Sequence, residues 1–187
     1  MKNIVVLASG SGSNLERIIE CTQNGEIPNT QVSLVVADRD CYALQRAKNH
    51  EIPNQLIPRG KDFCEKLEEI IPENTDLIVL AGFLSIITKD FAEKYKGKII
   101  NIHPSLLPKF GGKGMWGMNV HKAVIDADEP ESGATVHFVT AGIDEGEIII
   151  QGSVPLSPNE TPESLAEKIH EIEHKIFPEG IRRVLGK

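Results

Sequence analysis

An asparagine and a histidine, Asn101 and His103, stand two residues apart where an apolar run meets a loop containing Pro104 and Pro108. Alternate side chains of a strand share a face, so the carboxamide and the imidazole project together. An imidazole moves protons near neutral pH, and a carboxamide can donate a hydrogen bond to an oxygen that becomes negative. The pair therefore predicts a functional site that moves protons and stabilises the negative oxygen of a tetrahedral intermediate. The alternative is a capped strand end whose histidine is purely structural.

A third candidate is Asp144, which lies between Gly142 and Gly146 in a later loop. Alone, an aspartate in such a loop most often bonds its own backbone. Beside His103, its carboxylate would orient the ring and favour the protonated form. By contrast, His121, His137 and His170 stand alone in predicted elements, where a structural role is the default.

Small and polar residues follow the first apolar run, in the order Ser-Gly-Ser-Gly-Ser-Asn over positions 9–14. Small residues let the backbone approach a ligand closely, and Ser13 with Glu16 fits a capping box that would open a helix. Free amides and the positive end of the helix dipole then predict phosphate binding. A tight strand–helix turn without a ligand is the alternative. The spacing matches neither the dinucleotide-binding nor the ATP-binding glycine motif.

The elements that must position these residues alternate along the first hundred residues between β-branched runs and amphipathic patterns. Such alternation is typical of parallel strands joined by right-handed crossovers, and continuous apolar runs fit strands covered on both faces. Strands are predicted at 4–8, 32–37, 55–57, 76–81 and 98–102, and helices at 14–24, 41–49, 62–71 and 88–95.

The pattern changes after residue 103, where a long glycine- and proline-rich loop precedes a predicted helix at 120–127. Runs at 135–139 and 147–151 are too close for a helical crossover, so they should pair antiparallel. Residues 152–162 are predicted as turns, and 162–184 as a last helix in which a break at Pro178 is left open. The predicted fold class is α/β: a Rossmann-like, mostly parallel sheet with helices on both faces and a late antiparallel strand pair.

Composition and net charge disfavour several classes of function. The 187 residues predict one domain, and 20 Lys+Arg against 27 Asp+Glu give a net charge of −7, which disfavours nucleic-acid binding. Three cysteines without metal-ligand spacing disfavour a zinc site, and their odd number without a signal peptide fits a reducing cytosol. No run is long enough to span a membrane. We therefore expect a cytoplasmic protein with neither nucleic-acid nor membrane partners.

The run from 101 to 108, NIHPSLLP, resembles the folate-dependent formyltransferases, and the resemblance spans essentially the whole chain. It implies a formyl transferase that takes 10-formyltetrahydrofolate as donor co-substrate and needs no metal. The SGSGSNL loop, the length and the GATVHFVT segment point within the family to enzymes that formylate the amine of N1-(5-phospho-D-ribosyl)glycinamide in purine biosynthesis.

The resemblance also implies a single domain over 1–187, with a phosphate- and substrate-binding half at 1–100 and a catalytic and folate-binding half at 101–187. It leaves a homodimer open. The implied catalytic residues are Asn101, His103 and Asp144, and the implied acceptor-binding residues are Gly12, Ser13, Asn14 and Glu173. The implied donor-binding residues are Arg59, Leu84, Ser85, Ile86, Ile87, Asn101, Thr140, Ala141, Gly142, Ile143 and Asp144.

Two features depart from a familiar bacterial form of the family. Ser85 stands where that form has arginine, and the loop at 110–121 is longer and richer in glycine, which we interpret as a subfamily feature beside the active site. Two rival functions remain. One is formyl transfer to a sugar nucleotide or another small amine. The other is a non-catalytic nucleotide-binding module that uses only residues 11–14, which would leave Asn101, His103 and Asp144 unexplained.

Overall fold

One seven-stranded sheet organises the chain in a computed structural model that describes residues 1–186. The strands lie in the order β3-β2-β1-β4-β5-β6-β7. Their bounds are Lys2–Ala8 (β1), Thr30–Ala37 (β2), Asn54–Leu56 (β3), Leu77–Leu80 (β4), Ile99–His103 (β5), Glu131–Phe138 (β6) and Ile148–Pro155 (β7). The first five strands are parallel, whereas β6 runs antiparallel to β5 and β7 antiparallel to β6. This topology confirms the predicted fold class.

Six helices surround the sheet in the described part of the chain. Their bounds are Ser13–Gln23 (α1), Tyr42–Asn49 (α2), Phe63–Ile70 (α3), Lys89–Lys94 (α4), Met118–Asp126 (α5) and Pro162–Leu185 (α6). All of the predicted helices are present, with ends shifted by one or two residues. None of the described helices is long and apolar enough to cross a membrane.

The central strands are apolar on both sides because helices cover both faces of the sheet. Alternate residues of β1 divide between two hydrophobic clusters: Ile4 and Val6 pack in one, Val5 and Leu7 in the other. All four side chains are fully buried. This double burial explains the unbroken apolar runs, and it fixes which strand ends meet at the carboxyl edge of the sheet.

The late antiparallel pair is confirmed, but β7 is longer than predicted and continues through residues expected to form turns. It stays paired with β6 as far as the contact between Glu131 and Pro155. Gly152 is needed there, because a Cβ atom would lie 2.7 Å from Ile172 on α6. The glycine that signalled a turn in the sequence instead lets the last helix pack against the strand.

The helix α6 runs unbroken past Pro178, so the break left open by the sequence does not occur. Its first turn is closed by a capping box in which Thr161 and Ser164 bond each other's backbone amides. Further along, Gly180 lets the helix approach β6, since a Cβ there would lie 2.8 Å from Val136. Packing against the sheet thus outweighs the local cost of the proline.

Candidate active site

A cavity of about 1160 Å³ opens at the carboxyl edge of the parallel strands. Its wall is formed by the loop after β1, the ends of β4 and β5, the loop before α5, the loop after β6 and one face of α6. Every site residue predicted from the sequence lines this cavity, with the single exception of Gly12. Open α/β sheets bind ligands at this edge, so the cavity is the candidate site.

His103 closes β5 at one end of the cavity, and its ring is 4 % exposed. Its Nε2–H donates a hydrogen bond of 2.8 Å to the carbonyl of Phe110. That carbonyl belongs to the turn held by Ser105, whose hydroxyl donates to the carbonyl of Lys109 at 2.7 Å. The proline-rich loop therefore fixes the imidazole through its backbone.

Asp144 faces the other ring nitrogen, with its Oδ2 3.5 Å from the Nδ1 of His103. The carboxylate accepts a hydrogen bond of 3.0 Å from the amide of Gly112. The bonded partner that orients the ring is thus Phe110, whereas Asp144 supplies a nearby negative charge. Both ring nitrogens therefore face oxygen atoms.

Asn101 is oriented by His137, a residue that the sequence left as structural. The amide nitrogen Nδ2 of Asn101 lies 3.2 Å from the Nε2 of His137, and the Nδ1 of His137 lies 2.9 Å from the carbonyl of Phe138. A carbonyl only accepts, so Nδ1 carries the proton and Nε2 accepts from Asn101. Burial lowers the pKa of His137, which keeps the ring neutral and able to accept.

The cross-strand register brings these two residues together, since Asn101 on β5 pairs directly with His137 on β6. The side-chain amide of Asn101 carries two hydrogens, and His137 accepts only one of them. The second is free to donate to an oxygen in the cavity. No sequence pattern indicated this pairing, because register between strands 36 residues apart is set by the fold.

The first turn of the glycine-rich loop contacts both His103 and Asp144. Phe110 has a positive φ of 55°, which presents its carbonyl to His103. At Gly111 a Cβ atom would lie 2.6 Å from Leu107 and 3.3 Å from the Cβ of Asp144. A larger residue would therefore push on the loop that carries the carboxylate. The loop therefore supports His103 and Asp144 as well as lining the cavity.

The loop after β1 forms another part of the cavity, where Ser13 and Asn14 line the wall. The predicted capping box of Ser13 and Glu16 is wrong. Gly12 is the N-cap, in the left-handed conformation with φ 72°, and no side chain caps the helix. Glu16 instead pairs with Arg46 on α2, at 3.0 Å. The amides at the start of α1 are consequently left uncapped, as an anion site requires.

Polar residues of α1, α5 and α6 complete this part of the cavity. The amide of Asn14 donates to Glu173 at 2.9 Å, and the Nδ1 of His170 lies 3.4 Å from the same carboxylate oxygen. The hydrogen bond with Glu173 raises the pKa of His170. His121 also lines the wall and is 5 % exposed, and burial lowers its pKa. The sequence singled out Glu173 but neither histidine.

The donor-binding residues predicted from the sequence form a third, largely apolar part of the wall. Three of its aliphatic side chains are unusually exposed: Ile86 at 74 %, Leu84 at 44 % and Ile143 at 44 %. Exposed apolar side chains gathered in one concave surface are typical of a ligand site. The remaining predicted residues in this part are Ser85, Ile87, Thr140, Ala141 and Gly142.

At the rim of this apolar wall, a buried carboxylate collects two arginines. Asp38, with no exposed side-chain surface, is 2.9 Å from the guanidinium of Arg39 and 2.9 Å from that of Arg59. Ser85 donates its hydroxyl to the same carboxylate at 2.6 Å. The serine that departs from the familiar bacterial form thus belongs to an arginine network. Neither Asp38 nor Arg39 was singled out in the sequence.

No cluster of three or more metal-ligating side chains occurs among residues 1–186. The polar groups of the site are therefore the amides, histidines and carboxylates described above.

Comparison with known proteins agrees with this geometry. Residues 2–181 match the family model described as formyl transferase. The phosphoribosylglycinamide formyltransferase of Haemophilus influenzae is 40 % identical over 186 residues, which cover 95 % of this chain and 84 % of that protein.

Solved structures show the same likeness. Glycinamide ribonucleotide transformylase 1 from Geobacillus kaustophilus superposes with a TM-score of 0.89 at 37 % identity, covering 99 % of both chains. The transformylase 1 from Symbiobacterium toebii gives a TM-score of 0.89 at 37 % identity over 97 % of this chain and 86 % of that one. The chain therefore belongs to the formyl transferase family.

Proposed function

We propose that the chain transfers the formyl group of 10-formyltetrahydrofolate to the primary amine of N1-(5-phospho-D-ribosyl)glycinamide, a step of de novo purine biosynthesis. One observation carries the proposal: a single cavity joins an uncapped amide loop, a cluster of Asn101, His103 and Asp144, and an apolar wall with a cationic rim. These three parts correspond to a phosphate, a reaction centre and a folate. Relatives with this named activity cover nearly the whole chain.

The residues present fit a folate donor. Its flat, largely apolar ring system matches the wall around Leu84, Ile86 and Ile143. Its carboxylate tail matches the rim, where two guanidiniums share the single carboxylate of Asp38 and leave an excess positive charge. A cavity of about 1160 Å³ is large enough for the donor and the acceptor together.

The reaction adds the acceptor amine to the formyl carbon, which gives a tetrahedral intermediate with a negative oxygen. The free hydrogen of the Asn101 amide and the protonated ring of His103 stabilise that oxygen. Asp144, 3.5 Å from the ring, stabilises the positive charge of the imidazolium. The intermediate then breaks the bond between the formyl carbon and the folate nitrogen. The proton released by the amine passes to that nitrogen through His103 or an ordered water. The carboxamide and ring are already fixed by His137 and Phe110, so little reorganisation accompanies the step.

Elsewhere in the cavity, Ser13, Asn14 and Glu173 bind the acceptor through groups that are remote from the reacting amine. Amides and the helix dipole bind the phosphate, and the Glu173 carboxylate accepts hydrogen bonds from hydroxyl or amine groups. Gly12 does not line the cavity, and its contribution is the close packing of the loop on Ala43. Remote binding of this kind places the amine near the formyl carbon.

Some expectations remain predictions of the sequence. Both 1–100 and 101–187 contribute to the one cavity, so substrate-binding and catalytic halves are proposed only as a rough division. Cytoplasmic location and the lack of nucleic-acid and membrane partners stay proposals, as does a homodimer. Light scattering on the purified protein tests the dimer.

The decisive experiment is a formyl-transfer assay with the purified chain, followed by the absorbance change of the folate. We expect turnover with phosphoribosylglycinamide and 10-formyltetrahydrofolate. Turnover only with another amine or a sugar nucleotide would contradict the proposed acceptor. Transfer to no amine would contradict an enzymatic function and favour a nucleotide-binding module.

A further inference from the structure

We propose that Arg46, on α2, is a positioning residue that holds the loop of residues 10–13 with its amides turned toward the acceptor phosphate. The inference rests on the proposed function, because it concerns how the same loop binds the phosphorylated acceptor. Arg46 itself does not line the cavity.

Two groups of helix α2 donate hydrogen bonds to two consecutive carbonyls of the loop. The Nε–H of Arg46 donates to the carbonyl of Ser11 at 2.8 Å, and the amide of Ala43 donates to the carbonyl of Gly10 at 3.1 Å. Both carbonyls therefore point toward α2. One is held by a side chain and the other by the backbone, so only the first can be removed by substitution.

In a trans peptide the carbonyl and the following N–H point in opposite directions. Turning the carbonyls of Gly10 and Ser11 toward α2 thus turns the amides of Ser11 and Gly12 away from it. Neither amide finds an acceptor among residues 1–186. Ser11 lines the cavity and Gly12 is the N-cap of α1, so these two unpaired amides directly precede the free amides at the start of that helix. Successive free amides of this kind form an anion-binding concavity.

The loop and α2 are in direct contact, so the arrangement cannot shift easily. A Cβ atom on Gly12 would lie 2.8 Å from the Cα and Cβ atoms of Ala43 and 3.2 Å from the Cδ of Arg46. The methylenes of the arginine therefore pack behind Gly12 while its Nε bonds the neighbouring carbonyl. The positive φ of Gly12, 72°, is compatible with this close approach because glycine has no Cβ.

The charge of Arg46 is not directed at the phosphate. One terminal nitrogen pairs with Glu16 at 3.0 Å, and the guanidinium stacks over the ring of Tyr42, 5.0 Å from its centroid. Glu16 in turn lies 2.6 Å from His50. The guanidinium is thus engaged on the far side of the loop, and its effect on the phosphate is transmitted through the Ser11 carbonyl.

The test replaces Arg46 by methionine, which keeps the packing methylenes and removes the donors. For Arg46→Met we expect KM for phosphoribosylglycinamide to rise about five- to ten-fold, the loss of one charged hydrogen bond. The kcat at saturation and KM for the 5′-dephosphorylated acceptor should stay within about two-fold. A purely structural role would instead raise KM for both acceptors alike, and that result would overturn the proposal.

Binding of inorganic phosphate gives a readout independent of turnover. The affinity of Arg46→Met for phosphate, measured by competition or calorimetry, should fall by a similar factor, while unchanged affinity would overturn the inference. Arg46→Lys should recover part of it, since lysine can still reach a carbonyl with one donor. Loss of formyl transfer in the unaltered chain, with phosphate binding retained and weakened by the substitution, would reject the proposed function but support the role of Arg46.

Two control variants separate the loop contact from general effects. Glu16→Gln removes the ion pair with Arg46 but leaves the bond to Ser11, so phosphate affinity should change by less than about two-fold. Arg182→Met removes an ion pair with Glu179 on the exposed face of α6 and should leave both acceptors unaffected. Equal losses in either control and in Arg46→Met would contradict the proposal.

Discussion

The part of the cavity proposed to bind the acceptor phosphate and the part proposed to carry the chemistry are built in different ways. In the part proposed to bind the acceptor phosphate, the loop of residues 10–13 offers unpaired backbone amides that are neighbours along the chain. In the part proposed to carry the chemistry, Asn101, His103 and Asp144 contribute side chains that come from β5 and a distant loop. Backbone amides can bind an anion without basic side chains, which is consistent with a protein whose net charge is −7.

The part proposed to carry the chemistry needs more support because a side chain can rotate. His103 is held by a backbone carbonyl, Asn101 by His137, and Asp144 by the amide of Gly112. Each of these three side chains thus has its own hydrogen-bonded partner, and the partners come from β6 and the glycine-rich turn. The comparison shows that the amides proposed to bind phosphate come from one short segment, whereas the side chains proposed to carry the chemistry come from segments distant in the sequence.

The strongest test of this contrast is His103→Ala. It should lower kcat by roughly 10³-fold, because both proton transfer and oxyanion stabilisation are lost, while KM for the phosphorylated acceptor changes little. Steady-state kinetics on the folded variant provides the measurement. Near-normal kcat would remove the basis for assigning chemistry to this part of the cavity. Asp126→Asn, on the exposed end of α5, serves as a surface control.

A smaller loss is expected from Gly111→Ala, which touches no substrate group. The new methyl would approach Leu107 and Asp144, so we expect kcat to fall about ten-fold and stability to fall by about 1–3 kcal/mol. The affinity for inorganic phosphate in the other part of the cavity should not change. Denaturant unfolding and kinetics measure the two effects, and an unaltered kcat would show that the turn does not support the carboxylate.

Arg59→Ala sharpens the comparison at the rim, where a side-chain network binds charge. Removing one guanidinium from Asp38 should raise KM for the folate donor by up to about ten-fold, with kcat at saturation little changed. Lys61→Ala removes a neighbouring exposed cation and is the matched control. Equal effects of the two substitutions would indicate general electrostatics rather than the Asp38 network.

The mildest effect concerns pH and stability. Burial lowers the pKa of His121, His137 and His174 from 6.5, whereas the hydrogen bond to Glu173 raises that of His170. A lowered pKa means that the unfolded chain binds the proton more readily, so stability is lost as pH falls below about 6.5. His170 acts in the opposite direction, and its contribution is lost as pH rises.

Three groups against one predict a net fall in the free energy of unfolding between about pH 7.5 and 5.5. Denaturant titrations across this range measure it. His137→Gln, which retains a carboxamide acceptor near Asn101, should make the decline shallower. A decline of the same steepness would show that His137 does not contribute to the pH dependence.

The sequence by itself was sufficient to predict the helices, the strands and the way the strands pair. Apolar runs and helical patterns predicted the parallel sheet and the antiparallel pair, since their periodicity reflects burial on one or both faces. The residue types at Asn101, His103 and in the loop at 9–14 predicted the chemistry and the anion site. Glycine and proline misled where packing outweighed their local preference, at Gly152 and Pro178.

Tertiary structure alone decided how those parts are fixed. The pairing of Asn101 with His137 depends on the register of β5 and β6, and the approach of Arg59 and Ser85 to Asp38 depends on the tertiary fold. The contact of Arg46 with Ser11 likewise spans 35 positions. Periodicity along a chain shows which face of an element is buried, but only the folded sheet determines which residues meet across it.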